Sequence, residues 1–341
     1  SSLTINNSLP IDVTSQSGDP SGTKWEAVYT VSGIDSDQLA RFSIAGFEDP
    51  SGNQMSSSYS ETSYVSSTSD SSQVWMDISA PYVTSAYLLA QDSSKPDTDH
   101  LNYQMAKADE RITLQFETSE RVRTPSALSI NNQSALSVSA QPGDSTGRKW
   151  EAFYTVSGIT SDSEASFKIA GFEDPSGNPM SSSDDYYVES TSDSSKVWMD
   201  VSDPYVTSAF LLAQDSSNPD PDHPNYQMAK ADETITLRFE TSERVEIPSA
   251  LTINNQSSLT VSAQSTDTSG MKWEAVYTVS GIDSDELASF SIAGFEDPSG
   301  NQMSSIDSET TYVASTSDSS VVWMDVSDPY VTSAFLIAPD S

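Results

Sequence analysis

The chain has 341 residues, with 50 Asp and Glu against 15 Lys and Arg, a formal net charge of −35, two His and no Cys. A field this negative repels nucleic acid and anionic lipid, and without Cys neither a disulfide nor a thiolate metal site can form. No apolar run reaches the roughly 18 residues that direct membrane insertion as a helix requires, yet 6 Trp, 14 Tyr and 11 Phe supply enough core-forming surface to set the chain apart from a disordered tract.

Read from the first residue, the chain opens at a C-like strand and then carries Lys24-Trp25-Glu26-Ala27, Gly46-Phe47-Glu48-Asp49-Pro50-Ser51-Gly52-Asn53 and a closing Val74-Trp75-Met76-Asp77. All three motifs return, beginning at Lys149, Gly171 and Val197, and again at Lys272, Gly294 and Val322. Trp25, Trp150 and Trp273 lie 125 and 123 residues apart. That period is a whole domain per repeat, too long for one turn of a solenoid. The units are therefore 1–77, lacking its first two strands, 78–200 and 201–325, both complete, and 326–341, the first strand of a fourth.

In the second unit the predicted strands A to G cover residues 82–89, 111–118, 127–131, 135–140, 149–156, 165–171 and 194–199. Ile112, Leu114 and Phe116 alternate with Thr113, Gln115 and Glu117, and Trp150, Ala152, Tyr154 and Val156 alternate with Glu151, Phe153 and Thr155. Period two is the pattern of half-buried strands. Helical spacing is sustained nowhere, and Ser, Asp, Pro, Gly and Asn clusters supply turns between the runs. About seven strands in about 124 residues predict an all-β chain of immunoglobulin-like sandwiches arranged head to tail. The phase of the repeat leads us to expect a natural protein that continues in both directions. The tail is not expected to restore unit one by strand donation, since a B strand would still be missing.

Asp77 to Pro81 and Asp200 to Pro204, the Tyr-x-x-Ala-Lys-Ala-Asp segments (Tyr103 to Asp109, Tyr226 to Asp232), the Thr-Leu-x-Phe-Glu-Thr-Ser-Glu segments (Thr113 to Glu120, Thr236 to Glu243), Trp-Glu-Ala-x-Tyr-Thr-Val and Phe-Glu-Asp-Pro-Ser-Gly-Asn follow one another in fixed order. Together they resemble the bacterial Ig-like repeats of giant surface adhesins and other large extracellular proteins. This chain departs from that pattern at the junction, before the Asp of the Ala-Lys segment, and in having Pro-Ser-Gly-Asn where Ala-Gly-Asn is commoner. The resemblance implies an extracellular or cell-surface location.

If strands simply alternate in direction, the start of A, the end of B and the F–G loop share the end that meets the preceding unit. That gathers Asp77, Glu120 and Asp174 at one junction and Asp200, Glu243 and Asp297 at the next. Calcium takes six to eight hard oxygens and stiffens a linker when bound across a junction, although the same acids could be plain loop carboxylates around an Asx and Gly turn. Divalent cations would also relieve the self-repulsion of so acidic a surface. Asp97, Asp99 and His100, repeated as Asp220, Asp222 and His223, read as a solvated A–B loop, with a metal held through its carboxylates as the alternative. Asn6, Asn132 and Asn255 head Asn-x-Ser sequons, possible glycan sites or a hairpin turn that uses asparagine's tolerance of the left-handed region. Serine- and threonine-rich stretches 56–72 and 181–195 are either O-glycan carriers or polar loops. Trp25 and its copies are expected in the core, and Trp75, Trp198 and Trp323 between units.

Scattered carboxylate pairs could meet a glycosidase spacing by accident, but an active site copied into every unit is not expected, and no serine-type triad is available. Two readings remain. One is a non-enzymatic stiff stalk or filament that contacts its own neighbouring repeats and self-associates into a fibre or surface array. The other is an adhesin whose repeats each bind a glycan or protein receptor. Near-identity of the copies favours the first.

Overall fold

The computed structural model describes residues 2–10, 12–55, 64–91, 100, 102–134, 136–181, 187–214, 224, 226–257, 259–304 and 312–336. Every regular element among them is a strand. Unit one holds β1 (Ser2–Ile5), β2 (Asp12–Ser15), β3 (Trp25–Val28), β4 (Gln38–Leu39), β5 (Phe42–Ala45), β6 (Tyr64–Val65) and β7 (Trp75–Met76). Unit two holds β8 (Val83–Ala90), β9 (Tyr103–Ala106), β10 (Arg111–Thr118), β11 (Ala127–Ile130), β12 (Ser137–Ala140), β13 (Lys149–Thr155), β14 (Ser163–Glu164), β15 (Phe167–Ala170), β16 (Tyr187–Val188) and β17 (Lys196–Met199). Unit three repeats these as β18 (Val206–Ala213), β19 (Gln227–Lys230), β20 (Thr234–Thr241), β21 (Ala250–Ile253), β22 (Thr260–Ala263), β23 (Lys272–Thr278), β24 (Glu286–Leu287), β25 (Phe290–Ala293), β26 (Tyr312–Val313) and β27 (Val322–Asp325).

In unit two one sheet runs β12-β13-β10-β8, which is the D-E-B-A order of an immunoglobulin sandwich. Facing it, β11-β15-β16 and β14-β17-β9 form the second layer. Unit three has the same orders, β18-β20-β23-β22, β21-β25-β26 and β19-β27-β24. The alternation in β10 and β13 becomes packing because Phe116 stands opposite Trp150 and Leu114 opposite Ala152. All four are buried, along with Ile112, Tyr154, Ile169 and Met199. Their counterparts Phe239, Trp273, Leu237 and Ala275 build a second, separate core. Burying each such aromatic contributes about 1.5–3 kcal/mol.

Simple alternation of strand direction fails at one place. The first edge of each complete unit splits in two: β8 pairs with β10, and the chain then crosses to the other layer, where β9 runs parallel to β17 with Met105 opposite Trp198. The sequence reading has no strand at 103–106. Four residues are too few for periodicity to separate Tyr-Gln-Met-Ala from a loop. The crossing leaves the expected junction end intact, since β8 and β10 keep their antiparallel directions.

Candidate junction sites

Each junction is built from three separated segments. The linker leaves β7 or β17 and supplies Asp77 or Asp200. The end of β10 or β20 supplies Glu120 or Glu243, held near its strand because Thr118 Oγ1 donates to the Glu120 carbonyl at 2.6 Å and Thr241 Oγ1 does the same to Glu243. The loop after β15 or β25 supplies Asp174 or Asp297 through a tight turn. Gly177 N donates to Asp174 O at 3.2 Å, with Pro175 at the position a fixed φ favours and Gly177 at φ 95. In both sets the three carboxylate groups place oxygens within 4.8 Å of one another.

Asp200 Oδ2 accepts from Ser299 Oγ at 2.7 Å and its carbonyl accepts from Asn301 Nδ2 at 3.1 Å. The same Asn301 amide donates to Asp297 Oδ2 at 2.9 Å. One asparagine thus ties the linker acid of one unit to the loop acid of the next. Asn178 repeats this between Asp77 O and Asp174 Oδ2, at 3.1 and 2.8 Å, and Ser176 Oγ donates to Asp77 Oδ2 at 2.9 Å.

Among the described residues no Lys or Arg forms an ion pair with Glu120, Asp174, Glu243 or Asp297. Burial pushes the Glu243 carboxyl up to about 8, with the charges of Asp200, Asp297, Asp162 and Asp203 adding to it. Glu120 is raised for the same reasons, burial first and then Asp77, Asp174 and Asp37. Burial also raises Asp297, against the opposing hydrogen bonds from Asn301. All donors in the set are hard oxygens with no nitrogen or sulfur ligand, which suits hard cations such as calcium, magnesium or manganese.

Sequence reasoning passed over the residues that fix the linkers. Asp37 Oδ1 accepts from the backbone of Ile78 and Ser79 at 2.9 and 3.1 Å, Asp162 Oδ1 from Val201 and Ser202 at 2.8 and 3.0 Å, and Asp285 Oδ1 from Val326 and Ser327 at 2.8 and 2.9 Å. Their signal was visible, a recurring x-Ser-Asp before β4, β14 and β24, but it looks like any polar turn. Lys107 was also missed. Its Nζ donates to the Gly300 carbonyl at 2.8 Å across the second junction.

The other candidates fall elsewhere. Asn131-Asn132 and Asn254-Asn255 are the paired left-handed residues of two-residue hairpin turns, at φ values of 49 to 61. Asn132 and Asn255 are exposed. Asn6 sits one place earlier in its turn, where its Oδ1 accepts from Arg41 N at 2.9 Å and its Nδ2 contacts Met76 Sδ at 2.7 Å. Asp97, Asp99, Asp220, Asp222 and His223 lie outside the described residues. His100 stacks on Trp198 with ring centroids 3.9 Å apart, and Trp323 stacks on Tyr226. Trp198 and Trp323 therefore pack on rings of their own units, correcting the expectation that they bridge units: the parallel strand β9 or β19 brings a residue of the same unit alongside.

The sheets and junctions define a tandem array of immunoglobulin-like β-sandwich repeats. No protein-family model matches the chain, and no curated protein matches it. Among solved structures, the I-band fragment I67-I69 from titin is similar over 73% of this chain and 66% of that one, at 7% identity and a TM-score of 0.32. The I9-I11 tandem from titin is similar over 85% of this chain and 93% of that one, at 10% identity and 0.26. Dimeric latent PorU from Porphyromonas gingivalis is similar over 82% of this chain and 26% of that one, at 10% identity and 0.21.

Proposed function

We propose that this chain is a structural repeat region of a large extracellular protein, a surface stalk or filament whose junctions calcium stiffens. One observation carries the reading: at both junctions three carboxylates from two adjoining units converge within 4.8 Å, with Asp174 and Asp297 buried. Buried like charges are unfavourable unless a proton or a cation joins them. Opposite ligands of calcium stand about 4.6–5.2 Å apart, twice its ligand distance, so such oxygens fit one coordination sphere. A cation held there would link the linker, β10 or β20 and the turn after β15 or β25, and so join neighbouring units. Extracellular fluid supplies calcium at concentrations that suit modules of modest affinity, about 10⁻⁴–10⁻³ M.

The test is calorimetry and small-angle scattering of the whole chain with calcium and with chelator. Calcium should raise the melting temperature and lengthen the particle, and Glu120→Ala with Glu243→Ala should abolish both responses. Identical profiles with and without calcium would remove the cation from the function.

A further inference from the structure

In each complete unit the first strand, β8 or β18, lies at the edge of its sheet. Its N–H groups at alternate residues point away from β10 or β20, and an open edge of this kind is a template for strand addition. Side chains from the opposite layer occupy it. Ala86 N donates to Ser192 Oγ at 3.0 Å, Leu88 N to Ser195 Oγ at 3.1 Å and Ala90 N to Gln104 Oε1 at 2.9 Å. The carbonyls are filled too, Ala86 O by Ser192 N at 2.8 Å and Leu88 O by Gln104 Nε2 at 3.3 Å. Unit three repeats all five bonds. Ala209, Leu211 and Ala213 N–H groups meet Ser317, Ser320 and Gln227, while Ser317 N and Gln227 Nε2 return to Ala209 O and Leu211 O.

The loop that carries the serines is shaped before it meets the strand. Thr191 Oγ1 donates to Ser195 O at 2.9 Å, Ser195 N donates to Asp193 Oδ1 at 2.9 Å, and Ser194 takes φ 62. Residues 316–320 form the same clip. So do Thr68, Asp70, Ser71 and Ser72, at 2.8 and 2.9 Å with φ 59, although no counterpart of β8 is described in that unit.

We propose that the Thr-Ser-Asp-Ser-Ser clip and its partner glutamine form an edge seal, which withholds β8 and β18 from antiparallel pairing with the same edge of a second copy. Successive near-identical units hold such edges at high local concentration, where strand exchange and cross-pairing are the characteristic failures of repeat proteins. The seal satisfies the outward groups without offering a further ladder. It also commits the hydroxyls of Ser192 and Ser195, which the sequence left open as O-glycan carriers.

The chain with Ser192→Ala, Ser195→Ala, Ser317→Ala and Ser320→Ala tests this by sedimentation velocity over a concentration series. Dimers that grow with concentration, while the unaltered chain stays monomeric under the same conditions, are expected. Since the chain has no Cys, adding Ser85→Cys should give an oxidation-trapped dimer if β8 edges pair. If near-ultraviolet dichroism shows that the four-serine variant has lost its fold, Gln104→Met with Gln227→Met decides by the same two readouts. A folded variant that stays monomeric, or that associates without the trapped dimer, overturns the proposal.

Discussion

Trp25 and Trp273 sit in the same Lys-Trp-Glu-Ala segment, yet Trp25 is 65% exposed and Trp273 is 6% exposed. The difference lies in what stands beside the strand. Among the described residues of unit one β3 pairs only with β2, whereas β23 lies between β22 and β20 and meets Phe239 across the ladder. Residue type makes a tryptophan available for a core, and neighbouring strands decide whether it enters one. The two acidic loops differ in the same way. Hydrogen bonds from Asn53 hold the exposed Asp49 carboxyl below its usual range, while burial under the preceding unit pushes Asp297 above it.

The largest effect expected from this contrast is on stability. Trp273→Ala should cost about 3–5 kcal/mol in urea unfolding, the usual range for emptying an aromatic core position. Trp25→Ala should stay within about 0.5 kcal/mol, as for an ordinary surface site, and an equal loss at both would refute the burial argument. Next in size, calcium at a hundredfold excess over its dissociation constant should add about 2.7 kcal/mol. Glu243→Gln should weaken that gain and, in chelator at neutral pH, raise stability, because a carboxyl pushed up to about 8 must take up a proton on folding and an amide need not.

The cation-free chain should also respond to pH. Glu243 binds its proton more tightly in the fold than in the unfolded chain, so its contribution to stability is fully present below the ordinary glutamate range and is lost as pH rises towards about 8. Glu120, raised in the same direction, adds to the slope. Saturating calcium should flatten it, and melting temperatures across that pH range with and without chelator check this. The smallest effect is expected from Lys107→Met, which removes one donor to the Gly300 carbonyl and should cost about 0.5–1.5 kcal/mol. Unit three should unfold at lower urea while the first junction is unaffected.

Much of the candidate site was legible before any coordinates. Asp77, Glu120 and Asp174 stood in motifs that recur in fixed order, and strand direction alone brought them to one end. The linker-pinning Asp37 and Asp162 were not legible, because a Ser-Asp turn reads the same whether its carboxylate faces water or two backbone amides. The edge serines were hidden for a related reason. Ser192 and Ser195 lie over 100 residues from Ala86 and Leu88, and a polar run carries no periodicity from which such a contact could be inferred.

The amino-acid sequence by itself determined the repeat, the strand-forming alternation and the turn chemistry, since these follow from side-chain period and backbone preference over a few residues. The tertiary structure alone decided the parallel crossing of β9, which tryptophans are covered, how deeply each junction acid is buried and which hydroxyls seal an edge. Those outcomes depend on groups far apart in the chain sharing one small, poorly solvated space, where a neighbour's position sets the cost of every charge and unpaired amide.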